Sequence, residues 1–195
     1  MPSDSIPHRF ARAAAQFAAH IAVSAPAGQW TYAELDRRSS FMATEILSRT
    51  GEGSEPVALL LEHDAPLIAA IFGALKAGKI YLALDQNHPL EQLAAMVTSS
   101  GAKLLLADNA NLALANSLAS EQLKVFPIVE NLPADLPQKS FPDISGDAAA
   151  WLMFTSGSTS APKGVWQNHC GLVHEAEIYA GLADIKPDEI EERRA

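Results

Sequence analysis

Short apolar runs alternate with amphipathic stretches along most of this chain, and the alternation restricts its fold more than any other feature. The apolar runs are residues 57–61, 80–84, 103–107, 125–129 and 149–155. Strands that alternate with helices form βαβ units, which imply a mostly parallel sheet covered on both faces. We therefore expect an α/β fold with a doubly wound sheet and flanking helices.

The helices are predicted from apolar spacing and from the residues at their ends. Thr31 and Glu34 have the spacing of a capping box, which predicts a helix that starts there and ends near residue 49, before Gly51. Asp64 is expected to cap the next helix from its side chain. The predicted helices cover residues 8–20, 32–49, 65–77, 89–100 and 112–120.

A proline-rich connector divides the chain. Residues 131–147 include Pro133, Pro137 and Pro142, and the strand and helix pattern stops there. We expect one α/β subdomain at 8–130, the connector at 131–147, a strand, loop and helix at 148–188, and a terminal tail at 189–195. The strand after the connector is expected to begin a second sheet.

Composition excludes several classes of function. The net charge is −9 and no basic stripe is present, which argues against binding a nucleic acid through its phosphates. Cys170 is the only cysteine, so no internal disulfide can form. The first seven residues lack the pattern of a signal peptide, and the apolar runs are too short to cross a membrane. We expect a cytoplasmic protein that binds neither nucleic acid nor membrane.

The segment after the last apolar run carries the chemistry. Its residues are Thr155, Ser156, Gly157, Ser158, Thr159, Ser160, Ala161, Pro162, Lys163 and Gly164. Hydroxyl groups and backbone amides can donate to phosphate oxygens, and a lysine supplies a positive charge. Glycine lets the backbone turn and approach a ligand closely. The segment thus suits a phosphate-binding loop.

Two other interpretations of this segment are a polar surface loop and a Walker A loop. On composition alone, a polar surface loop explains the same residues. A Walker A loop fails on spacing, because Gly157 is not followed by four residues and Gly-Lys, and Lys163 is followed by Gly164 instead of Ser or Thr.

The order of residues resembles a known family. Phe154 to Val165 is similar to the phosphate-loop signature of adenylate-forming (AMP-binding) enzymes, which include acyl-CoA synthetases and the adenylation domains of nonribosomal peptide synthetases. Three further stretches agree in the same order: Trp30-Thr31-Tyr32-Ala33-Glu34-Leu35, then Leu75 to Tyr81 with Leu84-Asp85, then Asn168 to Val173. The resemblance covers residues 8–188 and is greatest to domains that activate amino acids.

The resemblance implies a fold and a reaction. The fold would be a truncated N-terminal subdomain of the adenylate-forming fold. The complete enzyme would use ATP with Mg²⁺ to convert a carboxylic acid into an acyl-adenylate, and a thiol of CoA or of phosphopantetheine on a carrier domain would then take the acyl group. The implied phosphate-binding residues are Thr155, Ser156, Gly157, Ser158, Thr159, Ser160, Lys163 and Gly164. His169 would lie near this loop and help to position it.

The chain also departs from the family. Ser160 stands where glycine is usual, Ala83 and Gln86 where proline is usual, and Gln92 where arginine is usual. The later motifs for adenine, ribose, magnesium and the acid are absent, as is the lid lysine, so no catalytic residue is assigned. We expect this chain alone to be inactive. The alternatives are an enzyme fragment and a non-catalytic binding or assembly module.

The remaining candidate residues point to no second site. His169 and His174 are five positions apart, so they would not share a helix face, and no second cysteine accompanies Cys170. A metal site is therefore not expected. Cys170 has no recognisable base partner and is expected to be a buried thiol, with His169 at the start of a helix.

Overall fold

The computed structural model describes residues 5–26, 28–128, 132–133, 140–155 and 163–182. Two stretches of secondary structure precede the main sheet: α1 Ile6–Gln16, then the strands β1 Ile21–Ala25 and β2 Gly28–Thr31. The elements that follow are α2 Tyr32–Thr50, β3 Pro56–Leu60, α3 Ala65–Lys76, β4 Ile80–Ala83, α4 Leu90–Ser100, β5 Leu104–Ala107, α5 Leu112–Leu118, β6 Lys124–Pro127, β7 Ala149–Thr155, β8 Lys163–Asn168 and α6 His169–Leu182.

Among the described residues, six strands form the main sheet in the order β6-β5-β3-β4-β7-β8. The first five run parallel, and β8 returns antiparallel to β7. β1 and β2 form a separate antiparallel hairpin. Because β4 and β5 lie on opposite sides of β3, the chain winds in both directions from the centre of the sheet. The predicted doubly wound, mostly parallel α/β sheet is confirmed.

The central strands β3 and β5 bury both of their faces. In β3, Ala58 and Leu60 pack against α4 and α5, whereas Val57 and Leu59 pack against α2 and α3. A strand that is covered on both sides gains apolar burial at every position, which explains why these strands are continuously apolar.

The starts of α2 and α3 follow the sequence predictions. Thr31 caps α2, and its Oγ1 accepts a hydrogen bond from the Glu34 amide at 3.2 Å. The Glu34 carboxylate accepts from Arg38 one turn further along the helix. Asp64 caps α3, with its Oδ1 2.7 Å from the Ala65 amide nitrogen. Each such cap satisfies a backbone donor at the start of its helix and contributes about 1 kcal/mol.

Three expectations about elements are wrong. The first helix ends at Gln16 and not at residue 20, because the chain turns into the β1–β2 hairpin, which apolar spacing did not predict. The strand β8 was also not predicted. Finally, β7 does not begin a second sheet: Tyr81 of β4 pairs with Trp151 of β7, so the strand after the connector extends the first sheet. The division of the chain at the connector stays a prediction.

The fully buried side chain of Lys79 stabilises the turn before β3 through a hydrogen bond and an ion pair. The Lys79 side chain is 0% exposed, and its Nζ donates to the Gly51 carbonyl oxygen at 2.8 Å. The same Nζ lies 3.1 Å from a carboxylate oxygen of Glu55. A buried ammonium requires such partners, because an unpaired charge in the interior is costly.

No helix in the described ranges is both long enough and apolar enough to cross a membrane.

Candidate functional site

The two ends of the predicted phosphate loop meet at one end of the β7–β8 hairpin. Thr155 at the end of β7 pairs with Lys163 at the start of β8, and both residues are exposed. The loop residues Ser156, Gly157, Ser158, Thr159 and Ser160 lie outside the described residues. The structure thus brings together Thr155, Lys163 and Gly164 of the predicted site, and it leaves the other positions as predictions.

This loop follows β7 at a point where the connections that leave two neighbouring strands run in opposite directions. After β4 the chain passes through α4 to β5, on the far side of β3, whereas after β7 it turns outward into β8. β4 and β7 are parallel neighbours, so their carboxyl ends meet at the same edge of the sheet. In open α/β sheets, ligands bind in the crevice beyond the carboxyl ends of strands that diverge in this way.

An acidic side chain follows β4 at that edge of the sheet. Asp85 lies two residues beyond the end of β4, and Thr155 is the last residue of β7, its parallel neighbour. The pKa of Asp85 is lowered chiefly by a hydrogen bond from the Asn87 amide, at 2.9 Å, so this carboxylate stays ionised. In the sequence, Asp85 is recognisable only as part of the motif with Leu84, and the pairing of β4 with β7 is what puts it at the same edge of the sheet as Thr155.

Gly164 has a packing role as well as its place in the loop motif. A Cβ atom at this position would lie 3.0 Å from Leu152 Cδ1 and 3.5 Å from a ring carbon of Phe154. The absence of a side chain at Gly164 therefore lets β8 lie against these two residues.

His169 follows the end of β8 opposite to Lys163, and its expected role in positioning the loop stays a prediction. Its amide donates to the Ala148 carbonyl oxygen at 3.1 Å, beside the start of β7. About 20 Å of extended strand separates it from Lys163, at about 3.3 Å per residue. The prediction of a histidine at a helix start is confirmed, since α6 begins at His169. Any influence of His169 on the conformation of the loop would have to be transmitted through the strand β8.

The His169 imidazole is buried, with 1% of the residue exposed, and its Nδ1 has no hydrogen-bond partner among the described residues. Burial lowers the pKa of His169 to about 4, and the nearby His8 lowers it further. The ring is therefore neutral at neutral pH. A neutral imidazole in this place supports the start of α6 by packing.

The other candidate residues near α6 form no reactive site within the described ranges. No group of three or more His, Cys, Asp or Glu residues is placed to hold a metal ion in the part of the chain that the structure describes. Cys170 is only half-buried, which corrects the expectation of a buried thiol. Its amide donates to the Gly146 carbonyl oxygen at 2.9 Å, which anchors the start of α6 to the connector.

A groove with a volume of about 450 Å³ is bounded by α1, α2, α3 and the end of the connector, away from the ends of β7 and β8 that flank the loop. Its lysine, Lys76, donates to the Asp36 carbonyl oxygen at 3.1 Å, to Asp36 Oδ1 at 2.7 Å and to Ser40 Oγ at 3.0 Å. Because these contacts use the three donors of the ammonium group, the lysine is not available to an anionic ligand.

The fold and the loop together define a class: an open α/β sheet whose Ser-, Thr- and Gly-rich loop follows a strand at a point of divergence. The sequence model of the family described as AMP-binding enzyme matches residues 10–190. The chain belongs to this family.

Comparison with individual proteins indicates which kind of AMP-binding domain this chain resembles. The chain is 36% identical over 176 residues to the phosphinothricin tripeptide synthetase PhsC of Streptomyces viridochromogenes, covering 85% of this chain and 16% of that protein. It is 35% identical over 167 residues to the malformin synthetase mlfA of Aspergillus tubingensis, covering 85% and 3%. The domain is thus similar to the adenylation domains of nonribosomal peptide synthetases, and the chain spans a small part of each relative.

Solved structures have the same fold. The N-terminal subdomain of Klebsiella oxytoca NpsA, in complex with 3-hydroxybenzoyl-AMSN, superposes with a TM-score of 0.74 at 22% identity, over 85% of this chain and 41% of that chain. The nonribosomal peptide synthetase FmoA3, bound to α-methyl-L-serine-AMP, superposes with a TM-score of 0.83 at 22% identity, over 95% and 20%. The 195 residues therefore correspond to part of an N-terminal subdomain.

Proposed function

We propose that the loop between β7 and β8 binds the phosphates of ATP, as part of a domain that activates a carboxylic acid. The observation that supports this most is the meeting of Thr155 and Lys163 at the carboxyl end of β7, beside the point where the chain diverges. A hydroxyl and an ammonium at the two ends of a loop rich in Ser, Thr and Gly provide donors of the kind that phosphate oxygens accept.

The proposed reaction of a complete domain has two steps. The carboxylate of the acid, which we propose to be an amino acid, attacks the α-phosphate of ATP and releases pyrophosphate, which leaves an acyl-adenylate. The thiol of CoA or of a carrier-bound phosphopantetheine then takes the acyl group and releases AMP. Negative charge builds on the phosphates in the first step, and Lys163 and the loop donors would stabilise it.

Mg²⁺ would come with the nucleotide. The described residues form no group of three or more His, Cys, Asp or Glu side chains suited to hold a metal ion. No step is therefore assigned to a magnesium site on this part of the chain. When bound, the ion would neutralise phosphate charge.

The proposal is tested by titrating ATP into the isotope-labelled chain and following backbone amides by NMR. Wild type should bind weakly, with a Kd of the order of 1 mM, because the loop alone contacts the nucleotide. Lys163→Ala should weaken binding more than tenfold, since a hydrogen bond to a charged group contributes about 1.5–3 kcal/mol. Ser160→Gly should bind equally or more tightly, because glycine relaxes a turn.

Lys124→Ala is the matched control. Lys124 is exposed on β6, at the opposite edge of the sheet, so the substitution removes the same charge far from the loop. It should change the affinity less than twofold. If Lys163→Ala binds ATP as tightly as wild type, the segment is a polar surface loop and the proposal fails.

A further inference from the structure

The groove between α1, α2 and α3 has the dimensions of a site for a small ligand. Its volume is about 450 Å³, and the end of the connector forms its fourth side. Sites for small molecules have volumes of about 300–1,000 Å³ and often lie between helices. Because four elements surround this groove, a compact molecule fits it better than an extended peptide, which needs a cleft that is open at both ends.

One part of the groove wall is apolar. Pro7 and Ala11 contribute to it from α1, and Phe141 and Pro142 contribute from the end of the connector. Phe141 also packs against the core cluster that α2, α3 and β3 share. Pro142 lies against Gly78, where a Cβ built on the glycine would be 3.7 Å from the Pro142 ring. The apolar wall on the connector side is therefore supported by the core.

The polar part of the wall favours a positively charged ligand. It contains two carboxylates, Asp36 and Asp143, and one ammonium group, that of Lys76. The donors of Lys76 are engaged with Asp36 and Ser40, so its charge is already compensated. The remaining ionisable group is His8, whose Nε2 lies 3.1 Å from Asp143 Oδ1. When His8 is neutral, the wall has one more negative than positive charge.

Asp36 has one oxygen available to a ligand. Its side chain is 44% exposed, and its Oδ1 accepts from Lys76 Nζ at 2.7 Å. Within the described ranges, no donor contacts its Oδ2. A guanidinium group matches a carboxylate that accepts through both oxygens, whereas an ammonium group binds as a point charge. The single available oxygen therefore favours an ammonium ligand.

The same charges disfavour a free amino acid. A zwitterion would bring its own carboxylate close to Asp36 and Asp143, and like charges at short distance repel. Lys76, the ammonium group that could attract that carboxylate, has its donors engaged. The ligand of this groove thus differs in chemistry from the amino acid proposed as the substrate of the complete domain.

We propose that the groove binds a small primary amine that has an apolar body and no carboxylate. The ammonium group would lie beside Asp36 Oδ2, and the apolar body would pack against Phe141 and Pro142. This is a second ligand site, away from the strand ends that flank the phosphate loop, and it does not depend on ATP binding by that loop.

The experiment titrates three compounds of similar size into the isotope-labelled chain and follows backbone amides by NMR. Phenethylamine should bind with a Kd of the order of 1 mM and shift amides of α1, α2 and residues 140–143. 2-Phenylethanol lacks the charge, and phenylalanine adds a carboxylate. Each of these two compounds should bind at least about fivefold more weakly than phenethylamine.

Two variants test the charge and the shape of the groove separately. Asp36→Asn keeps the shape of the side chain and removes its charge, so it should weaken phenethylamine binding at least about fivefold. Ala11→Leu leaves every charge in place and inserts a larger side chain from an exposed position of α1. It should weaken binding at least about fivefold without lowering the thermal transition, because leucine is a good helix former.

Glu91→Gln is the control for the charge. Glu91 is exposed on α4, which covers the opposite face of the sheet from α2 and α3, so this variant should bind phenethylamine as wild type does. Lys163→Ala should also bind it as wild type does, which separates a failure of this proposal from a failure of the phosphate loop.

Three outcomes would overturn the proposal. The first is no binding of phenethylamine at concentrations well above the expected Kd. The second is equal affinity for phenethylamine and 2-phenylethanol, because the carboxylates then play no part. The third is wild-type affinity of Asp36→Asn or Ala11→Leu, because the amine then binds elsewhere.

Discussion

At the scale of single residues, the buried ionisable side chains Lys79 and His169 differ in how their polar atoms are satisfied. The Lys79 ammonium has both a carbonyl and a carboxylate partner. The His169 Nδ1 has none, although its side chain is almost wholly buried. A proton on this imidazole would add an unpaired charge to the interior, which the fold disfavours.

We therefore expect acid to destabilise the chain through His169. The folded pKa of about 4 lies below the ordinary value of 6.5, so the unfolded chain binds this proton first as the pH falls. The stability that His169 contributes is complete above pH 6.5 and declines toward pH 4, by about 3 kcal/mol in total. Urea unfolding at several pH values from 7 to 4 measures this decline.

The His169→Gln variant separates this residue from the carboxylates, which also titrate in acid. Its free energy of unfolding should depend less on pH between 6.5 and 4 than that of wild type. The control is His174→Gln, at an exposed position of α6, which should keep the wild-type dependence. Parallel curves for wild type and His169→Gln would show that the buried imidazole does not titrate as inferred.

At the scale of elements, α2 and α3 approach closely at Gly73. A Cβ atom built on Gly73 would lie 2.5 Å from Met42 Cβ and 3.1 Å from the Ser39 carbonyl oxygen. Real Cβ atoms do not approach another carbon to 2.5 Å, and part of the obstacle is the backbone of α2. The distance between the two helices is thus set by the missing side chain of a glycine.

Gly73→Ala should consequently lower the free energy of unfolding by about 2–3 kcal/mol, since the helices must separate to accept the methyl group. Chemical denaturation measures this change. In α6, Gly181 has open space where a Cβ would be, so Gly181→Ala should be neutral or stabilising by up to about 1 kcal/mol. Equal stability of Gly73→Ala and wild type would show that α2 and α3 can separate without cost.

The sequence predicted the elements that bury a regular face. Helices α2 and α3 have apolar spacing and recognisable caps, and β3 and β5 are apolar throughout because both faces are covered. It failed at β8, whose first four residues are exposed. An edge strand with no continuous buried face has no apolar alternation to detect.

The candidate site likewise has features that local sequence predicts and features that depend on the pairing of distant strands. The residue types between Thr155 and Gly164 indicated phosphate chemistry, because that inference needs only local sequence. That Asp85 and Thr155 lie at the same edge of the sheet depends on the pairing of β4 with β7, which are distant in sequence. The place of His169 at the opposite end of the hairpin from Lys163 depends on β8, the strand that local sequence did not predict.

At the scale of the whole molecule, the chain corresponds to only one part of each longer relative. It spans 16% of PhsC and corresponds to 41% of the NpsA subdomain chain. Adenylation requires binding of an acid, adenine, ribose and phosphates together, and the candidate site here concerns the phosphates alone.

The 195-residue chain by itself should therefore not exchange pyrophosphate into ATP in response to any acid. The assay measures incorporation of labelled pyrophosphate into ATP with a panel of amino, aryl and fatty acids, beside a complete adenylation enzyme as the positive control. Acid-dependent exchange by the chain, above the rate without acid, would show that these residues contain a sufficient active site.

The junction between β4 and β7 has a consequence for engineering. The only residue pair that joins these strands in the described ladder is Tyr81 with Trp151, and their rings stack at a centroid distance of 5.8 Å. The β7–β8–α6 unit also meets the rest of the chain through Leu152, which is buried in the same core cluster as Ala58 and Leu60, and through the Arg9–Glu177 ion pair between α1 and α6. A crossover placed in residues 140–147 would therefore exchange part of the core, so a working chimaera of homologous synthetases needs an incoming β7 whose residues fit against β3 and β4.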